Sequence, residues 1–135
     1  MEGSQRRAAV VEYPPEMPRF VILEHDHPHL HWDLMLESGP ALLTWRLATP
    51  PRPGEVVNAI RVFDHRLLYL DYEGPICGGR GRVIRCAHGT FVWKVQADDR
   101  IVVSLQSDQL CGELRLARVE NDIWNGIFLA DQADD

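Results

Sequence analysis

Apolar and polar residues alternate along most of this chain with a period of two, the spacing of a strand that buries one face. Phe20-Val21-Ile22-Leu23 is a short apolar run between Pro18 and the polar stretch after Glu24. Leu30 to Glu37 alternates cleanly, Ser38-Gly39-Pro40 breaks the pattern, and Ala41 to Leu47 resumes it, which predicts a hairpin. Further strands are predicted over Val56–Phe63, Leu67–Tyr72, Arg82–Cys86, Thr90–Val95, Ile101–Leu105, Glu113–Val119 and Ile123–Leu129. His88-Gly89, Ala97-Asp98-Asp99 and Cys111-Gly112 read as the turns between them. A short helical turn is expected near Pro53–Asn58, and no segment carries an amphipathic helical period. Many short strands at roughly ten-residue spacing point to a barrel or a sandwich.

The ends depart from this pattern. Residues 1–17 have no period and read as a flexible N-terminal tail, residues 18–130 as the folded domain, and residues 131–135 as an acidic C-terminal tail. A length of 135 residues gives room for one domain and one sizeable core. Apolar content of 45% and charged content of 25% are ordinary globular values, which excludes wholesale disorder. No run has the length of a membrane span, and the N-terminus lacks a signal-peptide stretch, so the expected location is the cytoplasm with no membrane partner. Cys77, Cys86 and Cys111 are an odd number without a C-x-x-C pair and read as reduced thiols in the core. Trp32, Trp45, Trp93 and Trp124 fall within strand patterns and read as core residues.

The stretch from His25 to Glu37 carries candidate chemistry. On a strand, Leu30, Trp32, Leu34 and Leu36 share the core face, while His31, Asp33, Met35 and Glu37 share the other. An imidazole and a carboxylate side by side can hold two positions of a divalent ion, and His25 can add a third from the preceding strand. Two histidines and a carboxylate leave sites for water and a phosphate oxygen. Spacing alone leaves a second reading open, a histidine-rich surface turn that collects stray nickel or zinc. His27 and His29 flank Pro28 and are expected in the loop. Gly78-Gly79-Arg80-Gly81 is not followed by a helix-forming segment, which argues against a P-loop.

Arg19-Phe20-Val21-Ile22, His25-Asp26 and Leu30-His31-Trp32-Asp33-Leu34 together resemble the 3′-phosphoesterase domain of bacterial DNA ligase D. The resemblance continues through Thr44-Trp45, Asp64-His65 with Tyr69, Asp71 to Ile76 and Gly89-Thr90, and fades around Leu110–Arg118. It implies an all-β fold: a small single-domain β-barrel of about eight strands, with a central channel and at most a short helix. It also implies a metal-dependent hydrolase that removes a 3′-terminal ribonucleotide and then the 3′-phosphate, leaving a 3′-hydroxyl for DNA repair. The implied ion is manganese, with zinc or another transition metal as alternatives. His25, His31 and Asp33 would be its ligands, and His65 and Tyr69 would contact the scissile phosphate.

Three departures bear on activity. Met35 stands where the family has a phosphate-directed arginine, which implies a weakened enzyme. A family lysine falls at Thr49 and a further arginine at Val57, leaving Arg46, Arg61, Arg80 or Arg82 to reach the phosphate from neighbouring strands. The formal net charge of −6, with Lys94 the single lysine, implies that DNA or DNA/RNA 3′ ends are bound locally and weakly, in company with other end-joining repair proteins. The same charge keeps two alternatives open: a phosphoesterase for a smaller substrate, and a non-catalytic metal-binding partner of repair enzymes.

Overall fold

The computed structural model describes residues 17–131. Its strands are β1 (Arg19–His25), β2 (His31–Ser38), β3 (Ala41–Leu47), β4 (Val56–Arg66), β5 (Gly74–Pro75), β6 (Arg82–Gln96), β7 (Arg100–Gln106), β8 (Cys111–Glu120) and β9 (Ile123–Ala130). They run in the order β1-β2-β3-β4-β9-β8-β7-β6, and β6 pairs back onto β1, which closes an eight-stranded antiparallel barrel. The two-residue β5 adds to the side of β6. Closure leaves no long free edge, so backbone groups along the strands find partners without a covering layer.

Period two sorts each strand into an inner and an outer row. Phe20 and Ile22 of β1 point inward, as do Leu34 and Leu36 of β2, Trp45 and Leu47 of β3, and Val57 and Ala59 of β4. Phe91, Val103, Leu114, Trp124 and Phe128 complete the interior from the other strands, with Trp45 edge-on to Trp124. Each fully buried large side chain of this kind contributes about 1.5–3 kcal/mol. The lumen is therefore packed, and the central channel expected from the family resemblance is absent among the described residues; five aromatic rings fill the space of a small barrel.

A second apolar cluster lies outside the barrel. Val21 and Leu23 of β1, Met35 of β2, Leu42 of β3 and Val83 of β6 are buried beneath Leu70, with Tyr69, Tyr72 and Ile76 packed around them. The covering segment is the 3-10 turn Leu67–Leu70 and the chain that follows it. A salt bridge from Arg19 to Asp71 at 2.7 Å ties this flap to β1. The Arg19 guanidinium holds the Asp71 carboxyl below the usual carboxylate range. β1 and β2 are thus buried on both faces, although the chain has only one barrel.

Several sequence expectations change. Leu67–Tyr72 is the flap turn rather than a strand, because the barrel strands are already paired on both sides. Arg82–Cys86 and Thr90–Val95 are one continuous strand, and His88-Gly89 lies inside it. Pro53–Asn58 holds no helix and ends in the start of β4. Leu30 is exposed, since β2 begins one residue later, and Trp32 and Trp93 are only partly buried against the core. The three cysteines are free but exposed, not core. Cys86 is the extra residue of a bulge, since Ile22 pairs with Ala87 and Leu23 with Arg85. The expected tails lie outside the described residues except for Met17 and Asp131.

Gly89 serves close approach rather than a turn. A Cβ there would run into the Gln106 carbonyl oxygen and lie 2.8 Å from the Ser107 Cβ. Both obstacles belong to the neighbouring strand and its turn, so they yield only if β6 and β7 separate. Gly89→Ala is expected to cost about 1–3 kcal/mol of stability, measured by urea denaturation. An unchanged midpoint would show that the strands are not held this closely.

Candidate active site

The outer row of β1 and β2 ends in polar groups. Leu23 is followed by His25, and Met35 is preceded by Asp33 and His31, with His25 and His31 directly paired across the hairpin. The turn between them therefore sets two imidazoles face to edge, with centroids 4.9 Å apart. His31 Nδ1 bonds the His29 carbonyl at 2.8 Å, and His25 Nε2 bonds the Arg80 carbonyl at 2.8 Å. In each neutral ring the bonded nitrogen is the donor, so the other presents a lone pair. Those lone pairs, His25 Nδ1 and His31 Nε2, lie 3.9 and 3.3 Å from Asp33 Oδ2.

Three acceptors thus converge, with ligand atoms all within 4.8 Å of one another. His31 and Asp33 are 5% and 3% exposed, so water does not easily relieve the repulsion. Asp33 Oδ1 is also buried without a hydrogen bond; its nearest cation is Arg46 Nε at 3.7 Å. The His29 and Arg80 carbonyls fix the orientation of the two rings, as the hydrogen-bond partners of metal-bound histidines do. This donor set fits a divalent cation, and His25, His31 and Asp33 could hold one.

The loop Cys77–Gly81 is what brings the Arg80 carbonyl to His25. Ile76 N–H bonds the Gly81 carbonyl at 2.8 Å, and Arg82 N–H bonds Asp26 Oδ1 at 2.9 Å. Gly81 has φ +73° and presses against Asp26 and His27, a place no side chain can occupy. The glycine run thus orients the His25 ring.

Beside His25, His31 and Asp33 opens a cavity of about 400 Å³ between the outer barrel face and the flap. Arg46, His65, Tyr69 and Arg80 line it, together with Asp33 and His25. His65 reaches it through a bulge. Thr44 pairs with Val62 and Leu42 with His65, so Phe63 and Asp64 both stand opposite Leu43. The extra residue shifts the alternation and turns His65 to the outer face shared with Leu42. Its Nδ1 donates to the Phe63 carbonyl at 3.0 Å, leaving Nε2 free.

The two remaining arginines lie elsewhere. Arg61 pairs with inward-facing Trp45; its guanidinium sits 4.6 Å from that ring and donates to the Thr44 and Val62 carbonyls. Arg82 neighbours the pocket-lining Val83 on β6, and strand alternation sends it to the opposite face. Val57 points into the core, so no phosphate contact can come from that position. Met35 lies at the base of the cavity, 2% exposed among the apolar side chains of the flap cluster. Phe63 and Arg66 also line the pocket and were not singled out by the sequence. Plain alternation from Val62 would have sent Phe63 inward, and only the bulge contradicts it.

The pattern of the DNA ligase D 3′-phosphoesterase domain matches residues 23–118. The chain belongs to that family. Its relatives include the multifunctional non-homologous end joining DNA repair protein LigD of Mycobacterium tuberculosis, 32% identical over 124 residues, or 85% of this chain. LigD of Pseudomonas aeruginosa is 31% identical over 112 residues, or 74% of this chain. The matched regions are 16% and 13% of those relatives, which are far longer multifunctional proteins.

Burial pushes the His65 imidazole below the usual histidine range, against the weaker opposing pull of Asp33 and the Phe63 carbonyl. The ring therefore stays neutral at pH values where an exposed histidine has gained a proton. An unfolded chain takes up that proton first, so His65 costs stability as pH falls through the ordinary histidine value. In NMR titration of the metal-free protein, His65 is expected to titrate below about 6.5. A midpoint at or above that value would mean that the site is wetter than its packing.

Proposed function

We propose that this chain is a metal-dependent DNA 3′-end-healing phosphoesterase, which removes a 3′-terminal ribonucleotide and a 3′-phosphate to leave a 3′-hydroxyl. The observation that carries the reading is the convergence of His25 Nδ1, His31 Nε2 and Asp33 beside a cavity lined by Arg46, Arg80, His65 and Tyr69. Membership of the family supplies the reaction class, and the relatives' names supply the setting of end joining. We place the protein in the cytoplasm, acting on DNA or DNA/RNA 3′ ends alongside other end-joining proteins. No helix among the described residues is long and apolar enough to cross a membrane.

A divalent cation held by His25, His31 and Asp33, proposed to be manganese, would neutralise phosphate oxygens and lower the pKa of a water molecule. The chain's own residues do the rest. Arg46, whose Nε has no hydrogen-bond partner, offers charge-assisted donors to a non-bridging oxygen. Arg80 donates through Nε to the Cys77 carbonyl, which holds its guanidinium at the cavity wall. Tyr69 donates its hydroxyl to a second oxygen. In the 3′-phosphate step neutral His65 accepts a proton at Nε2 from the attacking water, and the departing 3′ oxygen, on the far side of the phosphorus, takes its proton from solvent. The flap limits the entry of bulk water, which strengthens each of these interactions.

Met35 favours a second reading, a smaller phosphoester as substrate. The thioether brings no charge to the base of the pocket, and a net charge of −6 disfavours long DNA. The deciding assay uses a primer–template ending in a 3′-phosphate or a single 3′-ribonucleotide, with and without manganese. Turnover of these ends, lost in Asp33→Ala while the folded spectrum persists, is the expected result. Turnover of small phosphoesters alone selects the second reading, and metal binding without turnover selects a non-catalytic module.

Arg46 and Arg61 provide an internal contrast. Arg46→Ala is expected to lower kcat/KM on a 3′-phosphate end by about 10- to 100-fold, the loss of a hydrogen bond to a charged group. Arg61→Ala should instead lower the urea midpoint, since its cation–π contact and carbonyl bonds hold β3 to β4. Equal kinetic losses in both variants would remove Arg46 from phosphate binding.

A further inference from the structure

We propose that Phe63 is a stacking platform for the base of the 3′-terminal nucleotide, a nucleobase subsite at the lip of the phosphate pocket. The proposal rests on the phosphoesterase reading and names what the site recognises besides phosphate.

Phe63 is 78% exposed, an unusual state for a large apolar ring in a domain whose other phenylalanines are buried. It is nevertheless not loose. Its ring lies flat on His65, with centroids 4.9 Å apart and planes within 6°. One face is thereby held by the histidine, and the exposure leaves the other to solvent. The bulge that aims His65 into the cavity also carries Phe63 to its rim, so the two rings form one stack that ends in an open aromatic face.

A phosphate alone has no use for such a face. A nucleobase does, because every base presents a π-surface and stacks on aromatic side chains without regard to sequence. The position fits the chemistry of a 3′ end. His65 and Arg46 address the phosphate inside the cavity, and the nucleotide that bears this phosphate must emerge at the rim. Asp64 and Arg66, both exposed, line the rim together with Phe63, whereas the exposed Leu67 and Leu68 of the flap do not line the cavity. The exposed pair Ile60 and Ile123 faces outward elsewhere on β4 and β9, and neither lines the cavity. A planar ligand with polar edges suits these surroundings better than an apolar protein surface.

The test is equilibrium binding by fluorescence anisotropy, in chelator-containing buffer, of labelled primer–templates with a 3′-phosphate. One ends in an ordinary nucleotide and the other in an abasic sugar. The parent protein is expected to prefer the ordinary end by about tenfold, within the range that base–aromatic stacking supplies. Phe63→Ala should bring the ratio near one, Phe63→Leu should do the same, and Phe63→Trp should restore it. A ratio retained in Phe63→Ala, or restored by leucine, overturns the proposal and leaves the ring as a cover for His65 or a protein contact. Failure of the parent to bind either end overturns it too. Turnover with manganese is measured separately. A parent that binds base-selectively yet hydrolyses no 3′ end sinks the phosphoesterase reading alone, whereas one that hydrolyses both ends without preferring a base sinks the subsite alone.

Discussion

The pairing of β1 with both β2 and β6 is the constraint from which the rest of this molecule follows. It closes the barrel, so the inner row of every strand is dry and the lumen can be filled by tryptophan and phenylalanine rings. It also places β1 at the middle of a three-strand surface whose outer row is Val21, Leu23 and His25. That surface is apolar for most of its length and needs a cover. The flap from Leu67 onward supplies one, and by doing so buries the polar end of the same row. Without closure the histidines and Asp33 would sit on a solvated edge. With it, they are desolvated acceptors that favour a cation.

The flap does more than exclude water. Its glycine loop returns the Arg80 carbonyl to His25, while the hairpin turn supplies the His29 carbonyl to His31. Both imidazoles are fixed in tautomer by backbone groups from loops, while their positions are fixed by strands. This division of labour explains why a short, irregular segment must be held firmly. Asp26 bonds the Arg82 N–H, Gly81 fits where a Cβ cannot, and Arg19 binds Asp71 at the other end of the segment.

The side of the cavity that carries Arg46 and His65 is built from a different part of the barrel. β3 contributes Arg46 next to Asp33, and β4 contributes His65 through its bulge. Arginine there balances carboxylate, so the pocket carries opposed charges within a chain of net negative charge. In the proposed function, a local field of this kind would serve one terminal phosphate better than a long duplex.

The sequence by itself determined the all-β class, the hairpin of β2 and β3, and the sharing of one strand face by His31 and Asp33. Those features depend on local alternation and turn chemistry, which a chain carries in its order of residues. The convergence of His25, His31 and Asp33 was legible for the same reason, since a hairpin pairs neighbours in sequence. The flap was not, because Leu67–Tyr72 has the apolar content of a strand and only saturation of the barrel's pairings leaves it as a turn. Nor were the fates of the arginines. Arg46 and Arg61 are equally basic, yet paired strands send one outward beside Asp33 and the other inward onto Trp45. The bulge at Phe63 and Asp64 is the sharpest case. It reverses the face of every residue after it, and it forms only because β3 and β4 must keep register on both sides of it. Tertiary pairing, not local preference, therefore decided that His65 and Phe63 face the site.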